Sequence, residues 1–157
     1  MPKPYNHFTE KEFLQRQKNT RKYLQNLGLD GLLIFKIEDM YWLTGYESDG
    51  FCIFACMFIG TDGELTHLAR PADLGNISYS SICKDVRISP DEEGSSRTNH
   101  IKSMLNSLNM KGKKIGIQVD TMGLTPRLFL EIREGLDGWC NLTIAPDFIR
   151  ELRMVKS

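Results

Sequence analysis

Arg70, three histidines and four cysteines are the side chains of this 157-residue chain with the most chemistry to offer. His7, His67 and His100 fall in an N-terminal arm, a predicted strand and a predicted helix start. No spacing between them and a carboxylate puts two ligands on one helix or strand face, so no metal site is expected within the chain. Cys52, Cys56, Cys83 and Cys140 lack paired spacing. Cys52 and Cys56 stand an even number of residues apart in an apolar run, and are expected as buried, reduced thiols on one strand face. Arg70 ends the second strand of a predicted hairpin, where binding groups often sit. Its guanidinium could take a carboxylate through two parallel hydrogen bonds; the alternative is local pairing with Glu47 or Asp73. Asp39, Asp49, Asp62 and Asp73 occupy positions where turns and caps favour aspartate. The glycines at 60 and 63 and at 112 and 116 read as turns, since neither pair belongs to a dinucleotide fingerprint or a P-loop. There is no Gly-x-Ser-x-Gly elbow. Lys111, Lys113 and Lys114 read as a solvated turn, with anion binding as the other possibility. No catalytic constellation emerges from these residues.

The elements that must position them alternate helix and strand. Thr9 and Glu12 form a capping-box pattern, Phe8 can staple onto Phe13, and Gly28 is placed to end the helix so begun. Residues 32–35 read as a short buried strand, residues 36–39 as a loop, and residues 40–43 as one turn of helix closed by Gly45. Residues 51–59 are almost wholly apolar and read as a long buried strand, returning through an Asp62-Gly63 turn to a second strand at 64–69. A weak helix at 71–80, an edge strand at 86–88 and a polar segment at 91–96 follow. Helices are predicted at 98–108 and from Thr125-Pro126, with Leu128, Phe129, Ile132 and Leu136 inward; strands are predicted at 115–119 and 139–144. Pro146-Asp147 opens a last helical segment. The pattern predicts one α/β layered domain around a mixed sheet of about five or six strands. Twenty basic and twenty acidic residues give zero net charge and a pI near 6.8, which argues against a nucleic-acid or anionic-membrane surface. No apolar run reaches the roughly 18 residues of a membrane span, and the N-terminus shows no signal-peptide core. A cytoplasmic location is the expectation.

Tyr41-Trp42-Leu43-Thr44-Gly45-Tyr46 and the hairpin after it carry a resemblance. So do the opening helix with Leu27-Gly28-Leu29-Asp30-Gly31-Leu32, then Ile115-Gly116-Ile117 with Asp120 and Leu124-Thr125-Pro126, and the ending from Leu152 to Ser157. In this order and spacing the chain resembles the N-terminal domain of the creatinase and Xaa-Pro peptidase family, the pita-bread metallohydrolases. The resemblance implies a three-layer, ribonuclease H-like α/β domain over residues 1–149, with 150–157 opening the linker to a catalytic domain absent from this chain, which then reads as a fragment. It implies that the missing domain holds two divalent metal ions of the Mn, Co or Zn type. It also implies a homodimer, and a loop at residues 46–51 leaning over the substrate site, often the partner subunit's. In creatinases an aromatic and an arginine at the start of the hairpin strand grip the substrate carboxylate; the matching positions here are Phe51 and Ile53. An isoleucine cannot pair with that charge, so a small peptide or another amide is expected rather than creatine. Tyr46, Phe51, Ile53 and Arg70 are the candidate substrate-binding residues, and none is expected to be catalytic. Tyr41 and Trp42 are expected to pack. The alternatives are a peptidase-like protein-binding module, the N-terminal domain of a creatinase- or ectoine hydrolase-like enzyme, and a stand-alone small-molecule-binding domain.

Overall fold

The computed structural model describes residues 6–156; residues 1–5, expected in the N-terminal arm of the domain, and Ser157, expected in the linker, lie outside the described residues. β1 (Gly31–Ile34) runs through the middle of a six-stranded sheet. Leu32 and Ile34 face one core while Leu33 and the following Phe35 face another, so a strand covered on both sides reads as an unbroken apolar run. β2 (Cys56–Gly60) pairs antiparallel with one edge of β1, and β5 (Lys114–Ile117) pairs parallel with the other. β3 (Thr66–Ala69) continues antiparallel from β2, with β4 (Asp85–Ile88) parallel beyond it. β6 (Asn141–Ile144) lies parallel beyond β5, which gives the order β4-β3-β2-β1-β5-β6.

Helices cover both faces. α1 (Glu10–Asn26), α2 (Ile37–Thr44), α3 (Leu74–Ser80) and α6 (Phe148–Met154) bring Leu24, Met40, Leu43, Ile77 and Phe148 against Leu32, Ile34 and Met57. α4 (Arg97–Ser107) and α5 (Pro126–Leu136) bring Ile101, Leu105, Ile132 and Leu136 against Leu33, Phe58 and Ile117. This is the expected three-layer α/β architecture. The local signals do their part: Thr9 Oγ1 accepts from the Glu12 amide at 3.2 Å, Phe8 meets Phe13 edge-on at 6.0 Å, and Thr125 caps α5 ahead of Pro126. Among the described residues no helix is long and apolar enough to cross a membrane. The expected boundary between residues 149 and 150 falls inside α6, whose Phe148 and Ile149 belong to the core.

Two expectations give way. The strand expected at 51–59 begins only at Cys56. β1 ends with Ile34 opposite Met57 and β3 has only Ala69 beyond the Leu68–Cys56 pair, so residues 51–54 have no strand partner in either neighbour; the chain turns instead, with the Ile53 amide on the Gly50 carbonyl at 3.3 Å. Cys52 is therefore exposed rather than buried beside Cys56 on a shared strand face. The loop expected at 36–39 and the single helical turn expected at 40–43 form one longer helix, α2, with Glu38 and Asp39 in its first turn, where the helix dipole favours negative charge.

Two buried details carry measurable consequences. A Cβ on Gly31 would meet Phe58 Cζ at 2.2 Å, inside a packed sheet. Gly31→Ala should cost about 1–3 kcal/mol in urea denaturation, and an unchanged midpoint would refute this packing account. His67 on β3 is fully buried, its ring 4.7 Å from that of Tyr46, and neither ring nitrogen has a hydrogen-bond partner among the described residues. Burial lowers its pKa to about 4, against a smaller opposing pull from Asp73. A depressed histidine pKa means the unfolded chain takes up the proton first as pH falls. The domain should keep the His67 share of its stability above about pH 6.5 and lose it between there and about pH 4, at about 1.4 kcal/mol per pH unit. Denaturation of His67→Leu across that range should show the slope reduced by that amount.

Candidate functional site

The segment between α2 and β2 is built as a loop with two fixed ends. Gly45 closes α2 at φ 79°, a left-handed conformation in which a Cβ would meet Asn6 Oδ1 at 2.3 Å and the Ser80 carbonyl at 2.9 Å. The turn buries Tyr46, 1 % exposed, against His67 in the core of α1, α2 and α6. The Glu47 amide then donates to Ser80 Oγ at 3.0 Å, and the Gly50 amide to Ser48 Oγ at 3.1 Å. At the far end Phe54 packs against the opposite core, with the Arg97 guanidinium 4.5 Å over its ring. Arg97 is itself held by the Ser89 carbonyl at 2.7 Å, by Ser89 Oγ at 2.6 Å and by an ion pair with Asp91. Ser89 Oγ also meets His100 Nδ1 at 2.6 Å. One end of the loop thus rests on each face of the sheet. Between them Phe51 (55 % exposed), Cys52 and Ile53 (39 % exposed) form an outward tip, and Phe51 shares a recess of about 120 Å³ with Lys36, Asp120 and Met122.

Arg70 lies where β3 ends. Its Nε donates to Asp73 Oδ2 at 3.0 Å and its Nη2 to Asp73 Oδ1 at 2.8 Å, so the local partner is Asp73, while Glu47 lies 3.7 Å from His7 Nε2. The pair is two-pronged and leaves Nη1 for another acceptor. Tyr46 and Arg70 are close enough to feel each other and Asp73 electrostatically; burial is the main cause that raises the Tyr46 phenol above its ordinary pKa. Among the described residues the four candidates do not share one of these recesses. Tyr46 borders one groove, Phe51 another, Ile53 stands on the tip, and Arg70 is engaged with Asp73.

The larger groove, about 810 Å³, runs between α1, α2, the first part of the loop and the end of α6. Tyr41 and Trp42 form part of its wall, with Trp42 also packed against the core. Arg16 sits 4.2 Å from the Phe8 ring centroid and 5.4 Å from that of Trp42, and bonds Glu12 at 2.6 Å and the Trp42 carbonyl at 3.0 Å. Beside this groove lies a buried charge at a position where the local sequence suggests only a turn or cap. Asp39 is 0 % exposed; it accepts from Gln118 Nε2 at 2.6 Å and from Arg153 Nη1 at 2.9 Å. Burial raises its carboxyl above the ordinary range against the pull of both partners. Two acidic residues at a helix start were the visible signal for α2, but nothing local marks the distant partners of Asp39. Among the described residues no group of three or more His, Cys, Asp or Glu could hold a metal ion, so the metal pair implied by the resemblance has no ligand set here.

Comparison with known proteins gives this architecture its relatives. Ectoine hydrolase of Halomonas elongata is 33 % identical over 66 residues, which is 42 % of this chain and 16 % of that protein. Dipeptidase PepE of Mycobacterium ulcerans superposes with a TM-score of 0.73 at 20 % identity, over 96 % of this chain and 38 % of that one. An aminopeptidase P, Xaa-Pro aminopeptidase, structure from Streptococcus thermophilus superposes with a TM-score of 0.69 at 19 % identity, over 90 % of this chain and 98 % of that one. The chain therefore spans only part of the ectoine hydrolase and of the dipeptidase. The family model described as Creatinase/Prolidase N-terminal domain matches residues 16–155, and the chain belongs to that family.

Proposed function

We propose that this domain is the non-catalytic N-terminal part of a metal-dependent Xaa-Pro peptidase-type hydrolase, where it shapes and covers a substrate site built elsewhere. The observation that carries this reading is the loop after α2. Both its ends are fixed in opposite cores while its apolar tip, Phe51 to Ile53, faces outward and joins neither core among the described residues. An ordered loop presenting an aromatic tip can meet a substrate at low entropic cost. In this reading Phe51 contacts the apolar part of the substrate, and Arg70, aimed by Asp73, offers Nη1 to a carboxylate or carbonyl oxygen. Tyr46 acts beneath them as support, and Ile53 adds apolar surface without a charge. In this reading the catalytic domain of the same polypeptide, not this chain, would hold two divalent metal ions, which would supply Lewis-acid chemistry at the scissile amide. The domain also contributes to a homodimer in which the loop can reach the partner subunit's site.

The stretch shared with ectoine hydrolase favours a second reading, in which the scissile amide is not in a peptide. Assaying the polypeptide that carries this domain on Xaa-Pro dipeptides and on ectoine separates the two. Under the first reading Arg70→Ala should raise KM for Xaa-Pro substrates by roughly tenfold to a hundredfold, the worth of one charge-assisted hydrogen bond, with kcat less affected. The purified 157-residue chain supplied with Mn, Co or Zn ions should hydrolyse neither substrate. Turnover by that chain alone would overturn the proposal.

A further inference from the structure

We propose that Arg153 and Asp39 form a latch that fixes the direction in which the polypeptide leaves this domain; the use of that direction, to aim a catalytic domain, rests on the reading above. α6 is held differently at its two ends. Its first turn is packed: Phe148 and Ile149 are buried, Phe148 stacks on Tyr23 at 4.7 Å, and Lys36 Nζ meets Asp147 Oδ2 at 2.7 Å. Its last turn is not, since Arg150, Glu151 and Met154 are exposed and Leu152 is only partly covered. The firmest tie there is Arg153 Nη1 on Asp39 Oδ1 at 2.9 Å.

The strength of that tie comes from its buried end. Asp39 Oδ2 is taken by Gln118 Nε2, and the Gln118 amide cannot turn away because its Oε1 accepts from the Phe35 and Lys36 backbone amides at 3.2 and 3.3 Å. The carboxylate is therefore fixed in place; Lys36 acts on it through space, and Arg153 is the cation that hydrogen-bonds Oδ1. If the last turn swings out, a buried carboxylate loses its hydrogen-bonded counter-charge, which opposes the motion. The Arg153 side chain is itself one-third exposed, so the same contact borders solvent and can open without unpacking Phe148. A joint of this kind holds one direction and yields as a local unit.

The test is amide hydrogen exchange on the 157-residue chain, comparing the parent with Arg153→Met, Asp39→Asn and the double variant. Each single change should speed exchange at residues 152–154 at least tenfold while α1 and β5 keep their rates, and the double variant should be no faster than the faster single. Unchanged rates in the last turn of α6 would overturn the latch. So would acceleration spread evenly over the domain, which would make the pair an ordinary core contact. Arg153→Gln, which keeps a donor without the charge, stands in should the methionine variant fail to fold. A second readout is the distance distribution between spin labels at Lys18→Cys and Lys156→Cys in a Cys52→Ser, Cys83→Ser and Cys140→Ser background, since these three thiols are free and at least partly exposed. It should be narrow with Arg153 and broad without it; equal widths would equally refute the latch. Neither readout involves substrate, so the latch and the proposed function can fail separately.

Discussion

The backbone amides of Phe35 and Lys36 leave the end of β1 inside the molecule, where no strand remains to accept from them. Buried amides need acceptors, and Gln118 Oε1 serves both. That choice binds the rest. The other end of the Gln118 amide must donate, and Asp39 accepts it; a carboxylate so deeply placed needs a cation, which arrives on α6. One unpaired strand end thus ties β1, β5, α2 and α6 together through side chains that are polar in a region otherwise built from leucine, isoleucine and phenylalanine. The geometry is specific where apolar packing alone would be tolerant.

Much of this was legible in the sequence, and the reasons differ by element. The central strand announced itself because cover on both faces demands an apolar run. Helix starts at Thr9 and Thr125 were readable because capping is local, and Arg70 with Asp73 lies within one turn of chain. Residues 51–55 misled because an outward apolar tip and a buried strand have the same composition; the short neighbours β1 and β3 decide between them. Gln118 and Arg153 lie 79 and 114 residues from Asp39, so no spacing rule connects them. The strand that carries His67 was legible, but the burial of every residue in it depends on cover from distant elements.

The loop after α2 shows how such a domain can matter to chemistry without performing it. Its two ends rest on the two sides of the sheet, so the tip is positioned by the whole layered structure rather than by one neighbour. Arg97 under Phe54 and Asp73 beside Arg70 belong to this support. Rigid framing of an exposed aromatic suits a surface that completes a site formed by other residues.

The pairing of β1 also bears on how the chain comes into being. Its antiparallel partner follows within a few turns of sequence, but its parallel partner β5 begins only at Lys114. A ribosome adds about 5–20 residues each second, so the far side of β1 waits on the order of ten seconds for its neighbour. Throughout that interval an uncharged Gly-Leu-Leu-Ile segment presents free hydrogen-bonding groups, the kind of edge that recruits other nascent chains. In the finished domain β1 lies between two strands, so this exposure is a hazard of synthesis alone.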